Sequence, residues 1–372
     1  MKHLRVVLPL LLVCAAVDQV AAQQLARLAR GADEKDWEAH FDAGVAVLRT
    51  KPLDALASFE MAAQLDPTRA EPLFGQYVAF WIAQPREDYL AWRDGNEEQR
   101  KRKDVIRADS VRDVAMLRNP FVHRGLEVVM FDMMPGRFST NRDTQAWLAY
   151  STGNFARAEQ VLTRTINRDP QRYLTQRYER ALNRVMQQNL DGAREDLVAI
   201  VEELRRRESS AAELDYYLSK HVFLYMIGLI DVQRRDFAAA RLNFAEAMLE
   251  NAGFAYAQAA VANVSRVERK SRDAATEFAT AIELAPTDPV LRWQYSQALF
   301  DAGRYDQAVA EATRAAEQVP QWAAPHLVVG MARERQGRNT QAQQAYETFV
   351  GLAPQADPTA QRIRQRLAAG RD

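Results

Sequence analysis

The chain has 372 residues, 48% of them apolar and 26% charged, with 49 basic residues matched by 49 acidic ones. That is the balance of a folded chain rather than a disordered tail, and a formal net charge of zero offers no global attraction to nucleic acid or an anionic membrane. With only 15 Gly and 14 Pro it lacks the turn density of an all-β protein, while abundant Ala, Leu, Arg, Glu and Gln favour helix.

At the N-terminus, residues 1–22 read as a signal peptide. Lys2, His3 and Arg5 form a basic head, residues 6–17 are mainly apolar, and Val20-Ala21-Ala22 supplies the small residues a signal peptidase requires. As a helix that run covers about 18 Å, short of a ~30 Å hydrocarbon core, so no transmembrane segment is expected. Cleavage near Ala22 would make the protein exported, periplasmic or secreted. The single cysteine, Cys14, lies in this leader. Leu11-Leu12-Val13-Cys14 loosely resembles a bacterial lipobox, from which Val13 departs, and a lipid anchor through Cys14 is the alternative outcome. If the leader is removed, no thiol or disulfide chemistry remains.

The rest of the chain repeats. Residues 23–69 hold an N-terminal helix and a first unit, 36–69, with Ala43, then Ala55, then Pro67, each twelve positions after the last. Residues 70–138 break that register and are rich in large apolar groups such as Phe74, Tyr77, Trp81, Phe121, Met130 and Phe131. They read as an irregular helical insertion or as two degenerate repeats. The spacing resumes with Ala146, Ala158 and Pro170, then Ala181 and Ala193; residues 139–220 thus hold two units and a connection lengthened around residues 205–218. Residues 221–356 hold four units, with Gly228 and Ala240, Ala262 and Ala274, Ser296 and Ala308, and Gly330 and Ala342, the alanines 34 positions apart. Pro286, Pro320 and Pro354 close the last three. Residues 357–372 read as a capping helix over the last repeat.

A period of 34 fits two helices and two tight turns. Small residues belong where the paired helices cross closely, and proline ends each unit because it cannot continue a helix. Gly303 and Gly337 fall between the helices, where a left-handed cap needs no Cβ. Phe59, Leu162, Leu197, Phe244, Phe278 and Tyr346 follow their alanines by four and fill the space between units.

This pattern resembles the tetratricopeptide repeat family. The resemblance implies an all-α, right-handed superhelical solenoid of helical hairpins whose first helices line a concave, peptide-binding groove. Carried over residue by residue, the groove would present Trp37 and His40, Trp147 and Tyr150, Tyr178 and Leu182, Tyr225 and Leu229, Tyr256 and Asn263, Trp293, Gln297 and Phe300, and Met331. In chaperone-tail-binding members, Lys and Asn clamp a terminal carboxylate. Here Asn263 stands at one such place but Ala259 occupies the lysine position, so that clamp is not expected.

Nothing in the residues points to catalysis. His40, His123, His221 and His326 show no metal-ligand spacing, and no nucleophile elbow, phosphate loop or dinucleotide fingerprint is present. Arg100-Lys101-Arg102-Lys103 reads as a solvated helix surface. The expectation is a non-enzymatic scaffold without catalytic residues, cofactor or metal. It would bind a protein or peptide rather than nucleic acid. An outer-membrane assembly or export accessory, or an enzyme framed by the repeats, are the alternatives.

Overall fold

A computed structural model describes residues 24–83, 103–121, 145–146, 149–150, 153–169, 173–209 and 219–369. The elements among them are helical. They are α1 (Trp37–Val47), α2 (Pro52–Leu65), α3 (Glu71–Ala83), α4 (Lys103–Arg118), α5 (Phe155–Ile166), α6 (Leu174–Met186), α7 (Leu190–Ser209) and α8 (Lys220–Gln233). They continue as α9 (Phe237–Glu250), α10 (Ala255–Val267), α11 (Ser271–Leu284), α12 (Pro289–Asp301), α13 (Tyr305–Gln318), α14 (Ala324–Arg335), α15 (Asn339–Leu352) and α16 (Pro358–Ala369). The leader with Cys14, the Arg100–Arg102 part of the basic run, His123 and Trp147 lie outside the described residues.

Local chemistry sets the helix starts. Asp36, Asn154, Asp236 and Asp288 each accept a backbone N–H of the first turn, which satisfies a donor that has no partner within the helix. Pro52, Pro289 and Pro325 occupy first-turn positions, where their missing N–H costs nothing. The turns that lead into α5, α7, α9, α11, α13 and α15 share one geometry. A left-handed residue stands two positions before the helix: Gly153, Gln188, Arg235, Arg269, Gly303 and Gly337 in that order. The following N–H reaches back five residues, as from Arg304 to Leu299 and from Asp236 to Asp231, closing the helix before it.

The helices stack as hairpins. α1 pairs with α2, α6 with α7, α8 with α9, α10 with α11, α12 with α13 and α14 with α15, and each second helix packs on the next first helix. α3 lies on α2 and touches α1, as the first helix of the next unit does elsewhere, and α4 packs on α3. At 20 residues α7 is longer than the 14-residue α9, and it takes up part of the lengthened connection. The fold is an all-α, tetratricopeptide-like repeat solenoid.

Both small-residue columns are buried, from Ala43 and Ala55 through Gly330 and Ala342. The bulky side chains four residues past the alanines explain the first column. A Cβ added to Gly330 would come within 2.6 Å of the Tyr346 ring, and one on Gly228 would collide with Phe244 in the same hairpin. The Phe59 ring lies between Gly44 of its own hairpin and Gly75 of the next, 2.8 Å from where either would carry a Cβ. These groups therefore fill space within units as well as between them. Buried carboxylates add polar ties. Asp196 accepts from Arg180 at 2.8 and 2.5 Å and from Arg184 at 3.0 Å, while Asp231 accepts from Arg194 at 2.7 Å and Asn243 at 2.9 Å. At the C-terminal end α16 buries Ala360 and Ile363 against Tyr346 and Phe349, with Arg362 and Gln365 exposed.

A candidate partner-binding wall

Consecutive first helices touch one another directly: α8 with α10, α10 with α12, and α12 with α14. Among the described residues consecutive second helices make no comparable contact. The array therefore curves toward its first helices, which form the inner wall.

The sequence-derived wall residues fall into three groups. His40, Tyr178, Leu182 and Tyr225 are buried. His40 holds the incoming chain through Nε2, 2.9 Å from the Glu34 carbonyl. Tyr178 stacks edge-on against Phe223, and Tyr225 against Phe254. A second group, Tyr256 among it, is half-buried and engaged with neighbours. Arg69 lies over the Trp37 ring at 4.9 Å, Tyr150 packs edge-on against Phe155, and Phe300 packs against Tyr305 with Arg335 above it. Gln297 accepts from Arg266 at 3.0 Å, Trp293 packs on Trp322 at 5.2 Å, and Met331 and Leu229 lie against the core. The third group is Asn263 alone, half-buried on α10. Trp147 belongs to none, being outside the described residues.

The tyrosine hydroxyls meet a part of the chain that does not repeat. Tyr225 donates to the Leu117 carbonyl at 3.1 Å, and Tyr178 points at the Pro120 carbonyl at 3.5 Å. Tyr256 donates to Asp288 Oδ2 at 2.6 Å, and the Arg118 guanidinium stands 3.9 Å from the same oxygen. Phe121 joins the core cluster of Tyr178 and Leu182, with Leu117 packed against it. One short stretch, residues 117–121, thus lies across α6, α8, α10 and the start of α12. Arg118 also donates to the Pro67 carbonyl, tying the turn between α2 and α3 to the same place.

Helix physics explains why that stretch fits. The last carbonyls of α4 have no partner within the helix, and their end of the dipole is negative; a buried hydroxyl donor suits them. Pro120 cannot prolong the helix, and Asn119 turns the chain by accepting the Phe121 N–H at 3.1 Å. Burial raises the hydroxyls of Tyr225 and Tyr256 above the usual tyrosine range, so both remain protonated donors at neutral pH. Asp288 does double duty, since its other oxygen caps α12 through the Val290 and Leu291 amides at 2.8 and 3.0 Å. Sequence reading missed Asp288 and Arg118. Thr-Asp-Pro ahead of a helix signals the cap, but no local signal links Arg118 to it.

Residues 268–331 match the tetratricopeptide repeat family. These residues carry tetratricopeptide repeats. A stretch of 82 residues is 38% identical to the Hsp70-Hsp90 organizing protein of Triticum aestivum, covering 22% of this chain and 14% of that one. The chain thus matches about a seventh of that relative's length. Among solved structures, YrrB, described as a TPR protein with an unusual peptide-binding site, is 17% identical with a TM-score of 0.42, over 56% of this chain and 100% of that one. The C-terminal part of a TPR repeat-containing protein from Cytophaga hutchinsonii is 16% identical with a TM-score of 0.46, over 56% and 77%. Among the described residues, no helix is long and apolar enough to cross a membrane, and no group of three or more His, Cys, Asp or Glu side chains is placed to hold a metal ion.

Proposed function

We propose that this chain is a non-enzymatic scaffold of the bacterial cell envelope that holds a protein or peptide against the inner wall of its repeats. The observation that carries the reading is residues 117–121 laid across four successive first helices. Hydroxyl-to-carbonyl bonds from Tyr225 and Tyr178 read backbone, which any peptide offers, while the Phe121 and Arg118 sites read side chains. The wall therefore has the chemistry of peptide recognition. Chaperone tails are not the partner we favour despite the organizing-protein match, because buried Ala259 stands where a clamping lysine would be needed.

A photo-crosslinking residue at Gln297 or Trp293, in cells of native envelope, tests the wall. A defined partner should crosslink from these inner positions and not from Thr313, exposed on α13. Equal recovery from inner and outer positions would remove the wall as the site. The export part of the proposal rests on the leader alone, and mass spectrometry of the mature N-terminus reads it. A start at Gln23 fits a free envelope protein. A lipidated Cys14 would move the scaffold to a membrane surface, where an assembly or export role becomes the better reading.

A further inference from the structure

The wall that should receive a partner is already covered in part by the chain itself. We propose that residues 117–121 are an internal ligand, and that the partner carries the same chemistry and enters by displacing them. That chemistry is a last helical turn with free carbonyls, an arginine, and an aromatic three residues after it with proline between. The inference rests on the scaffold reading and names its ligand class.

Three features set this stretch apart from ordinary core packing. Its polar links run to side chains of units far along the chain, with Leu117 and Tyr225 separated by 108 positions and Tyr178 and Pro120 by 58. Each link is a complete recognition element: a capped carbonyl, a guanidinium facing a carboxylate, an aromatic ring in an apolar pocket. The segment also breaks the repeat, so the array's own stacking does not require it there. Arg118 and Asp288 are mostly enclosed, with side-chain exposures of 8% and 12%, and an ion pair so sheltered from solvent discriminates strongly against a ligand lacking the cation.

Self-occupancy has a quantitative consequence. A wall covered in about 99% of free molecules binds a competitor about a hundredfold more weakly than a bare wall does. The test uses a labelled peptide of residues 113–121, Asp-Val-Ala-Met-Leu-Arg-Asn-Pro-Phe, added to the full chain and to its Arg118→Ala/Phe121→Ala variant. Fluorescence anisotropy should show at least about tenfold tighter binding to the variant. A peptide with Glu for Arg and Ala for Phe should bind neither. Equal affinity for both chains, or no binding to a variant that keeps its helical circular dichroism, overturns the proposal. Should the variant not fold, hydrogen exchange on the unmodified chain decides. Millimolar peptide should speed exchange at the amides of residues 117–119 and 121 while α8 stays protected, and unchanged rates overturn it. If that happens while Gln297 still crosslinks a defined partner, only the internal ligand falls. Loss of the position-specific crosslink would sink the scaffold reading itself.

Discussion

At Gly330 the missing side chain is a packing requirement, because the Tyr346 ring fills the place of its Cβ. That ring is itself fixed: its hydroxyl donates to Glu334 at 2.6 Å and the Arg366 guanidinium lies over its face at 4.5 Å. Burial, then the bond to Glu334, pushes this hydroxyl up to about 12. A methyl group there must therefore displace a ring held on two sides. Gly330→Ala should cost about 1–3 kcal/mol in urea unfolding, the usual penalty of overpacking. Gly351→Ala, a helical position with open space around its Cβ, should be neutral or slightly stabilising. Equal effects from the two would refute the packing account. This column was the most legible part of the sequence, because a close backbone approach admits few residue types and so leaves a fixed-interval trace. What the trace did not say is which group presses on it. Phe244 over Gly228 and Phe59 between two hairpins emerge only once the helices are paired.

Among the turns, sequence and structure part in an instructive way. Gly303 and Gly337 were readable as left-handed caps, but Gln188, Arg235 and Arg269 adopt the same backbone, with φ of 60–61°. They left no trace because the five-residue back-bond and the packed helices on either side hold the turn even when its residue is unfavourable. A left-handed non-glycine residue costs on the order of 1–2 kcal/mol, and glycine removes that strain while adding freedom to the unfolded chain. Arg269→Gly should therefore raise stability by about 1 kcal/mol or somewhat less. The Arg269 side chain is exposed, so little contact is lost with it. Thermal unfolding reads the change, and a lower midpoint would show that the turn is unstrained. The first helices were legible at the same level: the register put Tyr178, Tyr225 and Tyr256 on them. The hydroxyl partners of Tyr225 and Tyr178 were not, since Leu117 and Pro120 sit outside every repeat and no periodicity connects them.

Curvature belongs to the whole molecule, and it brings distant parts of the chain together. The Gln355 N–H donates to Asp33 Oδ2 at 2.6 Å across 322 positions, so the leading segment before α1 meets the turn before α16. Arg118 reaches from α4 to both Pro67 and Asp288, a second tie between the first hairpins and the later ones. Neither tie could be read from sequence, because each depends on the accumulated small rotations of every intervening unit. The Asp33 contact is also the more delicate. A hydrogen bond to a carboxylate contributes about 1.5–3 kcal/mol when sheltered, and solvent trims this one toward 1 kcal/mol, about a fivefold bias between joined and parted ends. The Gln355 amide, followed by that of Lys35, lowers the Asp33 carboxyl below its usual 3.8. A depressed carboxyl stabilises the joined state above the ordinary value and loses that contribution as pH falls through the folded one. Fluorophores at Arg30 and Arg362, both exposed, should show high energy transfer at neutral pH and a drop on acidification through and below pH 3.8. Asp33→Ala should show reduced transfer already at neutral pH and lose the part of the acid response that belongs to this carboxyl. Transfer in that variant indistinguishable from the unmodified chain would mean the two ends stay together without this bond, held by the stacking of the repeats alone.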